Sequence, residues 1–233
     1  MTTGTTGKVA LVTGGSTGLG LALSSELARR GWRVVTDGRS EAKFKEAGLP
    51  EAVTVVVGDL TDADHRDRLR TEVERHGRLD LLVHNASTLG PLPMRPLTEV
   101  DVGDLASVWR TNVGGPLVLT SALLPWLHEA DGILLSISSD AAVHHYETWG
   151  LYGASKAALD QLAAVLGAEE PLLLVYAVDP GDMRTAMHAA AFPGEDISDR
   201  PLPDAVVPRL LALLDARPES GRYVAADLGG DLR

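Results

Sequence analysis

Residues 8–20 read KVALVTGGSTGLG, an apolar run, a glycine-rich turn and the first residues of an amphipathic segment. An apolar run of this length ending at glycine predicts a strand over 8–13 that is buried on both faces. Leu19, Leu23 and Leu27 then recur at fourfold spacing, which predicts a helix through Arg30, with Gly31 as its C-cap. Glycine permits the tight turn between them and lets backbone N–H groups approach a pyrophosphate, whose charge the helix N-terminus favours. The G-x-x-x-G-x-G spacing of Gly14, Gly18 and Gly20 is a relative of the G-x-G-x-x-G dinucleotide fingerprint and not a copy of it. Alone, such a cluster is often no more than a turn. After the first strand of a βαβ series it reads as a dinucleotide site.

Moving outward, the unit repeats. Short β-branched runs predict strands at 33–36, 53–57, 79–83, 133–137, 172–178 and 222–226. Longer amphipathic segments predict helices at 62–76, with Asp62 as N-cap, and at 117–127, 151–166 and 205–216. This alternation predicts an α/β fold, a Rossmann-like doubly wound parallel sheet of about seven strands with helices on both faces. No linker, repeat or low-complexity segment interrupts it, so residues 1–233 read as a single dinucleotide-binding and catalytic domain. The stretch 183–203 has three prolines and no period, and is expected to be a substrate loop or lid.

Composition removes several classes of function. A chain of 233 residues with 45% apolar content can bury a sizeable core, which argues against disorder. It has no cysteine, so a disulfide scaffold, a thiolate metal site and a cysteine nucleophile are excluded. Its histidines lack paired ligand spacing on a helix, and no metal is expected. A formal net charge of −11 speaks against a nucleic-acid partner. The polar start, 1–7, lacks the basic and apolar regions of a secretory leader, and no apolar run approaches the roughly 20 residues that span a bilayer. A cytoplasmic protein without a membrane partner is therefore expected.

Cofactor choice should lie at the end of strand two, which reads Thr36-Asp37-Gly38-Arg39-Ser40. A carboxylate there can take a ribose 2′-hydroxyl, while an arginine pairs with a 2′-phosphate. Arg39 with Ser40 favours NADP(H), and Asp37 keeps NAD(H) possible. Asp59 and Leu60, after strand three, lie at the same sheet edge and could contact the adenine.

Tyr152 and Lys156 stand four residues apart near a helix start and so share a face. A free tyrosine titrates near 10, and a nearby ammonium stabilises its phenolate. Tyr152 can then give a proton to a carbonyl oxygen as hydride arrives, or remove one in reverse. Ser139, at the end of strand five, can support charge developing on that oxygen, although Ser138 beside it could serve instead. Asn112 reads as a helix cap or as a bridge between backbone and water near Lys156.

These residues together carry a resemblance. With TGGSTGLG at 13–20, Asp59-Leu60, Asn85-Ala86, Asn112, Ser139, Tyr152 and Lys156, Pro180-Gly181 and Thr185, the chain resembles the short-chain dehydrogenase/reductases in their compact branch, over essentially its whole length. The resemblance implies an NAD(P)(H)-dependent oxidoreductase, such as a carbonyl reductase, with Asn112, Ser139, Tyr152 and Lys156 as catalytic residues. Ser139 fits better than Ser138 because it lies thirteen residues before Tyr152, the usual interval. Lys156 should also hold the nicotinamide ribose, and Asn112 should order a water. Gly14, Ser16, Thr17, Gly18, Leu19 and Gly20 match the pyrophosphate turn. Asn85 and Ala86 match the adenine-ribose side, and Pro180, Gly181 and Thr185 match the carboxamide clamp. Gly38 occupies the position of the NAD-specific acid, and Arg39 falls where NADPH-preferring members often carry arginine. A homodimer or homotetramer acting on a small carbonyl or alcohol is expected.

The departures are HNAS at 84–87 in place of NNAG, Thr17 in place of a basic residue, and Asp179 in place of a small one. The stretch 166–172 is short, which predicts a trimmed end to the Lys156 helix. His145, Trp149 and Met183 are candidate substrate contacts, within a cluster that includes His144 and Tyr146. His188 and Phe192 could close over the site. The alternative function is a non-redox protein of the same fold that senses nucleotides, which needs the glycine loop but not Tyr152.

Overall fold

The computed structural model describes residues 7–228. The polar start read above as leaderless lies, up to residue 6, outside the described residues. Seven strands form one sheet: β1 (Val9–Val12), β2 (Arg33–Gly38), β3 (Val53–Val57), β4 (Leu81–His84), β5 (Ile133–Ile137), β6 (Leu174–Asp179) and β7 (Gly221–Val224). Their order is β3-β2-β1-β4-β5-β6-β7, and every pairing is parallel. The chain runs outward through β3, then returns to place β4 on the other side of β1. That reversal opens a crevice at the carboxyl ends of the strands.

Side-chain alternation explains the unbroken apolar runs. Ala10 and Val12 face helices α1 (Gly18–Arg29) and α8 (Pro203–Ala216), packing with Leu23, Leu27, Leu210 and Leu214. Val9 and Leu11 face the opposite layer, made by α3 (Ala63–His76) and α5 (Gly115–Glu129) through Leu69, Val73, Leu119, Leu123 and Leu127. A strand covered on both sides has no polar face to show. Each fully buried leucine contributes about 1.5–3 kcal/mol relative to exposure.

The differences from the sequence reading are local. β2 continues to Gly38, which draws Asp37 into the sheet. The short helix α2 (Glu41–Ala47) was not predicted; Ser40 caps it by accepting from the Lys43 N–H, and Gly48 ends it at φ 59°. Before α5 the chain forms α4 (Val102–Trp109) and then a π turn over Arg110–Gly114, so Asn112 lies in that turn. Helix α6 (Gly150–Glu169) runs past the end expected for it and is not trimmed. Within the predicted 183–203 loop lies a short helix, α7 (Ala186–Ala191). No helix among the described residues is long and apolar enough to cross a membrane.

Candidate active site

The strand ends open onto a cleft of about 500 Å³. Its floor is the glycine turn after β1, where Gly14 and Gly18 take φ of 71° and 58°. Thr13 is buried, and its hydroxyl donates to the Val83 carbonyl and accepts from the Asn85 and Ala86 N–H groups at 3.0–3.1 Å. Asn85 Nδ2 donates to the carbonyls of Thr13 (2.8 Å) and Gly14 (3.1 Å). A Cβ on Gly20 would sit 2.4 Å from that nitrogen and from the Gly14 oxygen. Asn85 therefore braces the turn with its side chain, and Gly20 lies behind the cleft, outside its lining. Thr17 is the N-cap of α1 but makes no side-chain cap bond, so the first N–H groups of the helix are left for an anion. Ser16, Thr17, Gly18 and Leu19 all line the cleft.

At the β2 end the two rival residues separate. Asp37 is buried, accepting from the Gly14 N–H at 2.7 Å and lying 2.9 Å from His65 Nε2. Its carboxylate is engaged by the turn and by His65, although Asp37 also lines the cleft. A Cβ on Gly38 would meet the Phe44 ring and Ser16 Oγ at 3.1 Å, so this position has little room for an acid. Arg39 and Lys43 are exposed, line the cleft with Ser40, and form no ion pair among the described residues. Burial acts to raise the Asp59 carboxyl, but the N–H and hydroxyl of Thr61 hold it below its ordinary value. Asp59, Leu60 and Ala86 line this same end.

Tyr152 sits at the other end, on the first turn of α6. Burial pushes its phenol up to about 12, against the downward pull of the Ser139 and Ser87 hydroxyls. Lys156 is not among the groups that shift it, so the expected lowering by that lysine is absent. Lys156 Nζ lies 5.6 Å from the Tyr152 ring centroid and donates to the Ile137 carbonyl at 2.8 Å. Burial pulls this lysine down to about 8, with Asp160 opposing. The Ser139 hydroxyl accepts from the Ala141 N–H at 3.1 Å and donates to Asp140 at 3.0 Å. Ser138 is buried and donates to Asp160 at 2.8 Å, so of the two serines Ser139 is the one beside Tyr152.

Asn112 is neither a cap nor part of the cleft lining. Its Oδ1 accepts from the Thr88 N–H, and its Nδ2 donates to the Thr88 carbonyl and to Ser155 Oγ, all at 2.9 Å. It ties the loop after β4 to α6. His84, which replaces the family asparagine, is buried with Nε2 2.7 Å from Thr120 Oγ1, and its Nδ1 has no partner. Burial, helped by Lys156, pulls its imidazole down to about 3.

The segment after β6 closes the far side. Pro180, Gly181 and Thr185 line the cleft, and the Gly181 N–H donates to Asp179 at 2.9 Å. Thr185 accepts from the His188 N–H, capping α7. Trp149 and Met183 line the cleft as expected, whereas His145 is exposed on its loop and does not.

With the geometry in place, comparison with known proteins is direct. The family model for short chain dehydrogenase matches residues 8–196. The chain belongs to the short chain dehydrogenase family. An Escherichia coli oxidoreductase, YciK, is 32% identical over 95% of this chain and 92% of its own length. A short chain dehydrogenase of Shigella flexneri, solved with NADP, superposes with a TM-score of 0.85 at 32% identity, covering 94% of this chain and 97% of that one. Another from Escherichia coli CFT073, solved with NADPH, gives 0.86 at 33% identity, covering 94% and 96%. Within this short chain dehydrogenase, the sequence reading missed Lys43, Ser87 and the support behind Ser139. Ser40 and Gly48 frame 41–47 as a capped helix, and that signal would have put Lys43 one turn from the β2 end. Arg222, from β7, donates to the Ser139 carbonyl and to Asp160 at 3.0 Å, a contact between residues too distant in sequence for any spacing to reveal.

Proposed function

We propose that this short chain dehydrogenase interconverts a carbonyl and an alcohol, prefers NADP(H) to NAD(H), and uses Tyr152 to move the proton. The observation that carries this reading is the buried Tyr152 phenol at the inner end of the cleft, with the Ser139 and Ser87 hydroxyls beside it and Lys156 one turn on. The nicotinamide, when bound, supplies or accepts the hydride at the substrate carbon. Gly14, Ser16, Thr17, Gly18 and Leu19 would hold the pyrophosphate, and Asp59, Leu60 and Ala86 the adenosine. Pro180, Gly181 and Thr185 would hold the carboxamide, and Lys156 the ribose beside it. The cleft fits such a group: glycine keeps its floor open, and the helix N-terminus above lacks a side-chain cap.

In reduction, the carbonyl carbon gains the hydride and its oxygen takes the Tyr152 proton, leaving an alcohol and a phenolate. A phenol held at about 12 keeps its proton at neutral pH, which suits this direction. Ser139 shares the charge developing on the oxygen, and the Lys156 ammonium supports the phenolate left behind. Asn112 keeps the loop carrying Ser87 and Thr88 in register with α6. Arg39 and Lys43 support the NADP(H) preference as charges free to pair with a 2′-phosphate, and so do the engaged carboxylate of Asp37 and the NADP and NADPH bound by the two relatives. The same reading takes the protein as a cytoplasmic homodimer or homotetramer.

The test is NADPH oxidation across a panel of ketones, with Tyr152→Phe beside the wild type. Loss of a positioned acid should lower kcat about 10²- to 10⁴-fold on the best substrate. Full activity in the variant would end the assignment.

A further inference from the structure

The reacting end of the cleft is built from flat and polarisable groups. Trp149 stands edge-on to Tyr152, centroids 5.8 Å apart at 74°, and lies 5.5 Å from Phe192. Phe192 in turn lies 4.8 Å from the His188 ring. Two elements far apart in sequence, the start of α6 and the α7 segment, thus meet in one aromatic corner beside the proton-moving hydroxyl. Met183 and Met187 add thioether surface, and Leu89 and Ala141 close the base in a buried cluster with Tyr152. His188 Nε2 is buried without a hydrogen-bond partner. An unpaired imidazole nitrogen in a cleft wall is a site for one polar contact with a ligand.

Charge divides the cleft. The exposed cations Arg39 and Lys43 lie at the β2 end. The reacting end carries Asp140, Asp179 and Asp182 in its lining, with Arg222 3.8 Å from Asp179 and Arg200 3.6 Å from Asp182, while Lys156 is buried and bonded to the Ile137 carbonyl. An anionic substrate would enter against Asp140 and two further carboxylates that Arg200 and Arg222 offset only in part, whereas a neutral or cationic ring would meet apolar faces. We infer that, within the carbonyl–alcohol reading above on which this rests, the substrate is a flat, ring-bearing ketone or aldehyde without negative charge. Its ring lies against Trp149 and His188, which Phe192 supports from behind the cleft lining.

The experiment uses a matched set: a phenyl ketone, its cyclohexyl analogue, and phenyl ketones bearing a ring carboxylate or a ring aminomethyl group, each with NADPH. The phenyl ketone should exceed the cyclohexyl analogue at least tenfold in kcat/KM, and the carboxylate should fall at least tenfold below the phenyl ketone. The aminomethyl compound should equal or exceed it. Trp149→Leu should bring the phenyl-to-cyclohexyl ratio towards one, and Asp182→Lys should raise the carboxylate relative to the phenyl ketone. Saturation-transfer NMR with the corresponding aryl alcohol and NADP⁺ should show ring contact in the wild type and its loss in Trp149→Leu. Equal rates for phenyl and cyclohexyl ketones, or a carboxylate that is the best substrate, would overturn the inference while leaving the oxidoreductase reading intact. Oxidation of NADPH by none of the four, with ring contact still seen by NMR, would overturn the carbonyl reading and leave only the ring site. Absence of both would overturn the two together.

Discussion

Lys156 is a buried charge, and its replacement by methionine tests the cost of burying it directly. The side chain is 2% exposed, and burial pulls its ammonium from 10.5 down to about 8. That interval corresponds to about 3 kcal/mol by which folding disfavours the charged form. Below pH 8 the lysine is protonated in both folded and unfolded chains, so the whole penalty applies. Between 8 and 10.5 the unfolded chain still holds a proton that the folded chain has released, so wild-type stability rises with pH across this window. Above 10.5 the lysine is neutral in both states and the penalty is gone. Lys156→Met removes the penalty at every pH and keeps most of the apolar volume. It also leaves the Ile137 carbonyl without its donor, which costs about 1 kcal/mol. The variant should therefore be more stable than the wild type by about 1–2 kcal/mol at pH 7, with the difference shrinking or reversing by pH 10. Urea unfolding at pH 7, 8.5 and 10 measures this, with catalysis lost throughout. A variant less stable at pH 7, or a difference independent of pH, would refute the account of a strained lysine.

The second prediction concerns Arg39 and Lys43: replacing either with alanine removes one charge-assisted contact, worth about 1.5–3 kcal/mol, from a 2′-phosphate. The KM for NADPH should rise roughly 10- to 100-fold while that for NADH stays within a few-fold, and an equal change in both would overturn the assignment. The third concerns His84, whose imidazole is drawn from 6.5 down to about 3. As pH falls through this range the unfolded chain gains a proton that the folded chain refuses, so stability falls by up to about 1.4 kcal/mol for each pH step. His84→Asn should flatten that acid loss in thermal melts between pH 6.5 and 4, and an unchanged slope would exclude His84 as its source.

What the sequence makes legible follows from distance along the chain. The strand over 133–137 was readable because a strand covered on both faces must be apolar throughout, and the edge strand over 53–57, where Thr54 is exposed, by its β-branched run. Tyr152 and Lys156 were readable because four residues make one helical turn. Helices α2 and α4 were not, since at seven and eight residues they are too short to show a period. The π turn holding Asn112 has no sequence marker of its own, so Asn112 could be read only as a cap or a bridge ahead of the helix predicted at 117–127. Asp37 stayed an open alternative because its engagement is decided by His65, one layer away in α3: a carboxylate at a strand end looks available until the residue packed behind it is known. His145 was included on the strength of neighbours in sequence, and the loop carries it away from the cleft while Trp149 stays.

A second layer of polar residues explains why the first can be so exposed to strain. Arg222 spans Ser139 and Asp160, Asp160 receives Ser138, and Asn112 joins Thr88 to Ser155. Each of these contacts crosses between elements, so a shift of β7, α6 or the loop after β4 would break several bonds, of which Asn112 to Ser155 is buried away from water and the Arg222 pair is exposed. Such a frame can hold a lysine and a phenol away from their ordinary titration ranges, because relaxing the charge would mean breaking several bonds together. The glycine turn is held the same way, by Thr13, Asn85 and Asp37 from three different strand ends. On this argument what individualises the protein is the polar frame that holds Tyr152, Lys156 and the glycine turn in place.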